Sequence, residues 1–272
     1  MFLEIYVPSH PLRQFVKSMI YYRDYTADSP FEKLLPDGNA QLIIELDGEY
    51  RHVQDTNQQS HLYFRSAWIT GIQTKPVIYH SEQNASTLCI QFEADGLHAL
   101  LGFPATEVSD KMIDASLLLG RSVIQLREYL LDCDKPFKIF NAAADYLKQR
   151  LIVSEAERNI VNYIAKNVCL ENLSHTEMSR KSGYSRKHLI QVFKKHVGLS
   201  PKKYQRIFRF NRALSLLHSA NSPIYADIAA QCLYFDQSHF SKEFGLFAGT
   251  TPGSYQKSNL LYPHVIPMDR GR

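Results

Sequence analysis

The chain has 272 residues, enough for two domains with separate hydrophobic cores. Its composition, 44% hydrophobic and 21% charged, is that of a folded globular protein and excludes extended disorder. No stretch approaches the roughly eighteen apolar residues of a membrane span, and the first residues, MFLEIYVPSH, lack the basic and apolar segments of a signal peptide. We therefore expect no membrane association and a cytoplasmic location.

Charge is unevenly distributed along the chain. Residues 154–258 hold 15 Lys and Arg against 7 Asp and Glu, a net +8, whereas residues 1–153 hold 14 against 19, a net −5. Basic helices are often only solvated surfaces, but this asymmetry predicts that the second part alone meets a polyanion.

Cysteine usage indicates a reducing compartment. The four cysteines are scattered and show neither a CxxC pair nor the spacing of a metal site. We expect free, buried thiols at Cys89, Cys133, Cys169 and Cys232.

Residues 1–110 are predicted to form a β-rich domain. Short apolar stretches alternate with turn signals such as Pro36-Asp37-Gly38 and Asp47-Gly48, a pattern typical of a small barrel or sandwich. The predicted strands are Ala40–Leu46, Leu62–Ile69, Pro76–His80 and Thr87–Phe92, and one helix is predicted at Leu12–Tyr21.

Nothing in this domain predicts catalysis or metal binding. A metal-binding barrel needs clustered His and Glu ligands, and no two histidines are two residues apart among His10, His52, His61, His80 and His98. No nucleophile motif is present either, so we expect no catalytic residue, no metal and no cofactor. Two roles stay open for the aromatic residues, an apolar ligand pocket or an ordinary core: Tyr63, Phe64, Trp68, Tyr79 and Phe92.

Residues 95–150 are predicted to turn helical, with helices at Asp95–Leu101, Asp114–Leu131 and Phe137–Leu151. The two long amphipathic helices can either pair with a second subunit or pack on their own barrel. We assign residues 111–153 to a helical linker or dimerisation segment and residues 259–272 to a tail.

The most informative feature is an internal repeat. GYSRKHLIQVFKKHVGLSPKKY (Gly183–Tyr204) returns as YFDQSHFSKEFGLFAGTTPGSY (Tyr234–Tyr255). Equivalent residues lie 51 positions apart: Ser185 and Asp236, Leu189 and Phe240, Phe193 and Phe244, Gly198 and Gly249, Tyr204 and Tyr255. A repeat of this length indicates one supersecondary unit used twice.

Each copy contains a helix N-cap, an apolar stripe at helical spacing and a closing glycine. A short helix precedes each copy, Ser174–Lys181 with a capping box formed by Ser174 and Glu177, and Ser222–Gln231 with Pro223 at its first position. Helix, turn and second helix with a basic exposed face is the helix-turn-helix pattern. A single long helix, Pro201–Ala220, joins the two units.

Residues 154–258 resemble the DNA-binding region of AraC-type (AraC/XylS) transcription regulators, on SRKHLIQVFKKHVGLSPKKY and DQSHFSKEFGLFAGTTPGSY. The stretches LLPDGNAQLIIEL and TGIQTKPVIYH also resemble the sensor domain of one subgroup. The resemblance implies an α+β protein: an N-terminal cupin-like β-barrel with following helices, then an all-α double helix-turn-helix domain. It also implies binding to double-stranded DNA, a small-molecule effector or homodimer formation through the N-terminal part, and RNA polymerase as a partner.

Base-reading residues are expected near the start of each second helix, because that end enters the major groove. In the first copy, Gln191 suits adenine, Arg186 or Lys187 suits guanine or phosphate, and Ile190 suits a thymine methyl group. Lys194 and Lys195 are expected at phosphates. In the second copy the resemblance places these residues at DNA: Gln237, Ser238, His239 and Lys242. His239 can instead orient its neighbours.

Two departures weaken the second copy. The turn of the second copy has one extra residue, so residues before it lie 50 positions apart and Leu233 stands where the first copy has Gly183. A leucine there costs roughly 1 kcal/mol or more if the turn needs a positive φ. Gly245 stands where the family has a basic residue. We therefore predict that the first helix contributes most of the affinity.

Two other functions are weighed against a regulator. One is a DNA-binding tail on an enzyme, such as a repair methyl acceptor, which needs a cysteine cluster, whereas residues 1–153 hold only Cys89 and Cys133. The other is a DNA-bending protein without regulatory input. A predicted barrel large enough to enclose a pocket argues against that role.

Overall fold

The computed structural model describes residues 1–27, 29–55, 61–80, 83–152, 155–169, 174–220, 223–258 and 260–268. Within these ranges a β-rich N-terminal part is followed by helices, which confirms the predicted α+β class. In the same part of the chain, none of the helices is long and apolar enough to span a bilayer.

The described strands form two antiparallel sheets. The first has the spatial order β1-β2-β9-β4-β7-β10, with strands Phe2–Tyr6 (β1), Val16–Tyr25 (β2), Gln41–Glu45 (β4), Ala67–Thr70 (β7), Ala85–Phe92 (β9) and Met112–Asp114 (β10). The second has the order β11-β3-β8-β5-β6, with strands Phe31–Leu34 (β3), Arg51–Asp55 (β5), His61–Phe64 (β6), Val77–His80 (β8) and Val265–Met268 (β11).

Alternating side chains on the central strands determine how the layers stack. Ile43 and Trp68 share an apolar cluster with Val53, Phe64 and Val77 of the second sheet, so the two sheets face each other. Their sequence neighbours point to the opposite face and join the main core beneath the helices. The N-terminal part is therefore a cupin-like sandwich of two sheets rather than a closed barrel.

The aromatic residues of this part divide between core and surface. Phe64 stacks on Trp68 at 5.0 Å between ring centroids, and both are buried, as is Phe92. Tyr79 is half-buried, whereas Tyr63 is exposed. Phe64, Trp68 and Phe92 therefore belong to an ordinary hydrophobic core, the second of the two roles left open for these aromatic residues.

A buried charged network crosses the sandwich. The Glu45 carboxylate accepts hydrogen bonds from Trp68 Nε1 at 2.9 Å and Thr87 Oγ1 at 2.7 Å, and lies 3.0 Å from Arg51 Nη2. Arg51 also pairs with Asp47. Burial raises the pKa of Asp47, but hydrogen bonds from Arg51 and from backbone N–H groups outweigh it and hold that pKa below its ordinary value.

Several predicted elements differ in extent. Leu12–Tyr21 is not a helix: a short 3-10 turn covers Leu12–Gln14, and β2 begins at Val16 because its β-branched and aromatic residues fit an inner strand. The predicted strand Leu62–Ile69 is two strands, β6 and β7. The predicted helix Asp114–Leu131 is broken at Gly120, whose φ of 67° ends one helix and precedes the next.

The helices that follow the sandwich pack on their own chain. They are Gly96–Leu101 (α1), Ala115–Leu119 (α2), Arg121–Leu131 (α3) and Pro136–Arg150 (α4). Val123, Leu126 and Phe140 lie in the main core, and Arg127 Nε donates to the Glu45 carbonyl oxygen at 2.6 Å. Their buried faces therefore cover the first sheet.

The C-terminal part is helical up to residue 257. Its helices are Glu155–Cys169 (α5), His175–Ser182 (α6), Arg186–Val197 (α7), Pro201–Ser219 (α8), Tyr225–Gln231 (α9), Gln237–Ala248 (α10) and Pro252–Lys257 (α11). The Ser174–Glu177 capping box is present. Helix α9 begins at Tyr225 with Ile224 as N-cap, so Pro223 does not occupy its first position. Ser222, where this helix was predicted to start, lies outside the described residues.

The two parts are also joined by a strand. β11, in the segment predicted as a tail, pairs antiparallel with β3, with Val265 opposite Leu34 and Met268 opposite Phe31. The Leu35 N–H donates to the His264 carbonyl oxygen at 2.9 Å, and the His264 ring bonds Asn211 of α8 at 2.5 Å. The segment after the helices thus becomes part of the N-terminal sandwich.

Candidate nucleic-acid interface

Helix α7 has the capped, amphipathic form that its sequence predicts. The Ser185 hydroxyl accepts a hydrogen bond from the His188 N–H at 3.2 Å, and Gly198 closes the helix with a φ of 87°. Leu189, Val192 and Phe193 are buried. The opposite face is left for solvent or a partner.

Helix α10 repeats this arrangement. The Asp236 carboxylate accepts from the His239 N–H at 2.7 Å, which is the equivalent backbone donor, and Gly249 closes the helix with a φ of 63°. Phe240 and Phe244 are buried. The caps and stripes predicted for both copies are confirmed.

The repeat extends to the packing of side chains. Phe193 meets Tyr204 edge-on at 5.5 Å with an interplanar angle of 68°. The equivalent pair, Phe244 and Tyr255, meets at 5.6 Å and 71°. The same ring contact, 51 residues apart, shows that the two units share one internal packing.

The turn before each of these helices needs a left-handed residue. Gly183 has a φ of 75°, and Leu233, at the equivalent position, has a φ of 59°. The predicted strain at Leu233 is thus present, at roughly 1 kcal/mol. Arg209 Nη1 donates to the Leu233 carbonyl oxygen at 3.3 Å and supports this turn.

Most of the predicted DNA contacts are solvent-exposed. The exposed residues are Arg186, Lys187, Gln191 and Lys194 on α7 and Gln237, Ser238, His239 and Lys242 on α10. Ile190 is half-buried. The structure therefore leaves the starting ends of both helices accessible.

Lys195 lies apart from that set. It is half-buried, and its Nζ donates to Glu157 Oε2 of α5 at 2.7 Å. Lys195, which was predicted to contact a phosphate, thus pairs with Glu157 within the protein. Hydrogen bonds from Lys195 and His196 lower the pKa of Glu157 to about 2.

His239 is held by the turn that precedes it. Its Nδ1 accepts from the Phe235 N–H at 3.3 Å, and its ring meets Tyr234 edge-on at 5.4 Å. These contacts fix the orientation of the ring while 42% of the side chain stays exposed.

An ion cluster that the sequence interpretation missed fixes α10 on α8. Glu243 is 4% exposed, and its two carboxylate oxygens lie 2.7 Å from Arg206 Nε and 3.0 Å from Arg209 Nε. Arg209 also lies over the Tyr234 ring at 4.3 Å. The available signal was an acidic residue at the position where the first copy has buried Val192, because a carboxylate there requires a cation.

The closing turns of both helices face the N-terminal part. A Cβ added to Gly198 would lie 2.9 Å from the Ala105 carbonyl oxygen and closer still to Ser109 Oγ. A Cβ added to Gly249 would lie 3.6 Å from Lys33 Nζ. The C-terminal ends of α7 and α10 thus pack against the N-terminal part, while their N-terminal ends are exposed to solvent.

The same contact region holds further polar groups from both parts. Arg158 of α5 pairs with Asp95 at 3.0 Å and donates to the Gln14 carbonyl oxygen at 3.0 Å. Nearby, the rings of His98 and His196 lie 4.1 Å apart. Among the described residues, one ligand atom each from His98, Glu157 and His196 lie within 4.8 Å of one another. The sequence spacing did not predict this cluster.

Comparison with known families gives two matches. Residues 178–258 match a helix-turn-helix domain, and residues 4–114 match a domain of unknown function, DUF6597. The first match covers both repeat units, and the second covers the sandwich through β10.

Curated relatives are named as transcription regulators. The chain is 31% identical over 121 residues to the HTH-type transcriptional activator AarP of Providencia stuartii, an alignment that covers 44% of this chain and 85% of AarP. It is 29% identical over 159 residues to the lactose operon transcription activator of Staphylococcus xylosus, covering 54% of each protein. The chain thus spans about half the length of that activator.

Among solved structures, the chain is similar to ToxT from Vibrio cholerae O395 in complex with (E)-4-(8-methylnaphthalen-1-yl)but-3-enoic acid. The sequences are 14% identical, the TM-score is 0.49, and the superposition covers 88% of this chain and 97% of ToxT.

Proposed function

Because the chain belongs to the AraC-type family of transcription regulators, we propose that it binds double-stranded DNA sequence-specifically through α7 and α10 and thereby regulates transcription. One observation carries the proposal: two units with the same caps, left-handed turns and ring packing both present exposed polar residues at their starting ends. That end of a recognition helix is the one that reads base edges.

In the proposed complex α7 lies in the major groove. Gln191 forms a bidentate contact with adenine, Arg186 or Lys187 with guanine, and Ile190 packs on a thymine methyl group. Lys194 binds phosphate and adds affinity without reading sequence. Lys195 joins it only when its bond to Glu157 is released.

The second helix uses Gln237, Ser238, His239 and Lys242 in the adjacent groove. It offers one cation, because Gly245 has no side chain to reach a phosphate. Since each phosphate contact releases counterions and adds affinity, α7 contributes more binding energy than α10.

Selection of bound duplexes from a random pool with the purified protein tests this proposal. Two recognition units on one stiff helix should select two conserved blocks about 10 base pairs apart. The block read by α7 should show the stronger preference. A pool that remains random after selection, or a single uninterrupted block, would contradict the proposed mode.

We also propose that the N-terminal sandwich provides the regulatory input, as a small-molecule effector domain or a homodimer contact, and that the protein acts in the cytoplasm with RNA polymerase. Helices α2 to α4 bury their apolar faces on their own sheet, yet large apolar side chains on their outer faces remain exposed: Leu117, Tyr129, Leu131 and Phe137. Sedimentation equilibrium of the wild type and a Leu117→Ser, Phe137→Ser variant tests the dimer, which the substitutions should dissociate.

A further inference from the structure

We propose that His98, Glu157 and His196 form a binding site for a divalent transition-metal ion of the Zn²⁺ class, at the contact between the sandwich and the first helix-turn-helix unit. The site lies at the opposite end of α7 from the proposed base-reading residues, shares Lys195 with the proposed phosphate contacts, and does not depend on DNA binding. It departs from the sequence-based expectation of no metal, because its ligands come from three distant parts of the chain.

The three side chains converge from three helices. His98 lies on α1, Glu157 on α5 and His196 on α7, and one ligand atom from each lies within 4.8 Å of the other two. His196 Nε2 is 3.0 Å from Glu157 Oε2. Ligands around a tetrahedral ion with bonds of about 2.0–2.2 Å lie about 3.3–3.6 Å apart, so small side-chain movements suffice.

The donor set suits zinc-like ions. Two imidazoles and one carboxylate, with a fourth position left for water, form a common Zn²⁺ ligand set, whereas Ca²⁺ and Mg²⁺ prefer all-oxygen sites. One ligand, His98, comes from the N-terminal part of the chain, and the other two come from the C-terminal helices.

The backbone fixes the tautomer of His98. Its Nδ1 lies 2.7 Å from the Phe103 carbonyl oxygen, which can only accept, so Nδ1 carries the hydrogen and Nε2 keeps its lone pair. A hydrogen bond of this kind orients histidine ligands in known metal sites. His196 is only 4% exposed, and in the structure its Nε2 donates a hydrogen bond to Glu157. To bind the ion through Nε2, the ring would carry its hydrogen on Nδ1 instead.

A cavity is present at the cluster. Its volume is about 180 Å³, and its lining includes His98, Glu157 and His196, together with Arg158 and Lys195. A water molecule takes up about 30 Å³ in the liquid, so the cavity can hold an ion and the water that would complete its coordination.

An ion in this position would change the partner of Lys195. The ammonium of Lys195 and His196 Nε2 both bond Oε2 of Glu157. A divalent ion bound to that carboxylate repels the ammonium, so Lys195 would lose its partner on α5 and become available to bind a phosphate. The ion would also tie α7 to α1 by two coordinate bonds.

Co²⁺ titration of the full chain, followed by visible absorption, tests the site, because tetrahedral Co²⁺ absorbs far more strongly than octahedral Co²⁺. We expect one Co²⁺ per chain, displaced by Zn²⁺ but not by Mg²⁺. His98→Gln and Glu157→Gln should each weaken binding about 100-fold or more, since even supporting residues cost 10–100-fold. Far-UV circular dichroism of both variants checks that they are folded.

His52→Gln is the matched control. His52 belongs to a second histidine group, in which its Nε2 lies 2.8 Å from His61 Nδ1, and it lies outside the proposed site. The control should bind Co²⁺ like the wild type. The proposal is overturned if the wild type binds no Co²⁺, if folded His98→Gln and Glu157→Gln bind as tightly as the wild type, or if His52→Gln abolishes binding.

Discussion

Replacing Gly198 by alanine isolates the contact between the first recognition helix and the sandwich. Gly198 ends α7 at a φ of 87°, and an added Cβ would lie 2.9 Å from the Ala105 carbonyl oxygen. That atom belongs to the backbone of the N-terminal part, so it cannot rotate away. The substitution must therefore either displace the two parts or strain both of them.

Gly183→Ala provides the matched control. Gly183 has a φ of 75° and a similar left-handed conformation, but an added Cβ would meet nothing within 4 Å. Left-handed backbone costs alanine about 1–2 kcal/mol at either position. Overpacking against fixed backbone adds about 1–3 kcal/mol, and only at Gly198.

Urea unfolding monitored by circular dichroism should therefore show a free energy of unfolding for Gly198→Ala that is about 1–3 kcal/mol below that of Gly183→Ala. Equal losses of stability in the two variants would show that the docked arrangement does not contribute to stability in solution.

Three further outcomes are expected. Lys187→Ala should weaken DNA binding more than Lys242→Ala in a fluorescence anisotropy titration, and equal losses would refute the greater contribution of α7. Glu243→Gln should lower the free energy of unfolding by about 2 kcal/mol, which is less than for a fully buried ion pair because the arginine partners of Glu243 are partly exposed. Asp145→Asn, the control, removes the exposed ion pair with Lys148 and should change the free energy of unfolding by less than about 0.5 kcal/mol. The pKa of Asp47 in the folded protein lies below its unfolded value of about 3.9, so the ionised carboxylate stabilises the fold fully above that pH and loses this effect below it. The difference in free energy of unfolding between wild type and Asp47→Asn should therefore stay constant from pH 6 to 8 and shrink below about pH 4. A difference that grows in acid would contradict the direction of the pKa shift.

Local signals predicted the helix-turn-helix units well. Ser185 and Asp236 cap their helices, and Gly198 and Gly249 close them in the left-handed region, because capping and positive φ depend on residues within one or two turns. Even the strained Leu233 followed from its alignment with Gly183.

Contacts between distant segments could not be predicted in this way. The clusters at Glu243 and at His98 join side chains from separate helices, and their spacing in the sequence carries no sign of it. The helix predicted at Leu12–Tyr21 is wrong, because the neighbouring residues Ser18 and Met19 are buried on opposite faces of β2 and so break the simple alternation that indicates a strand. The DNA contacts themselves remain predictions.

The pairing of β11 with β3 limits how the DNA-binding part can move. Besides its side-chain contacts through Gly198 and Arg158, that part is connected to the sandwich at both of its ends, before α5 and again at Val265. If the contacts of Gly198 and Arg158 were broken, the helical part could rotate about the line between its two connections but could not separate from the sandwich. Any signal passed from sandwich to helices would therefore act as a change of angle rather than of distance.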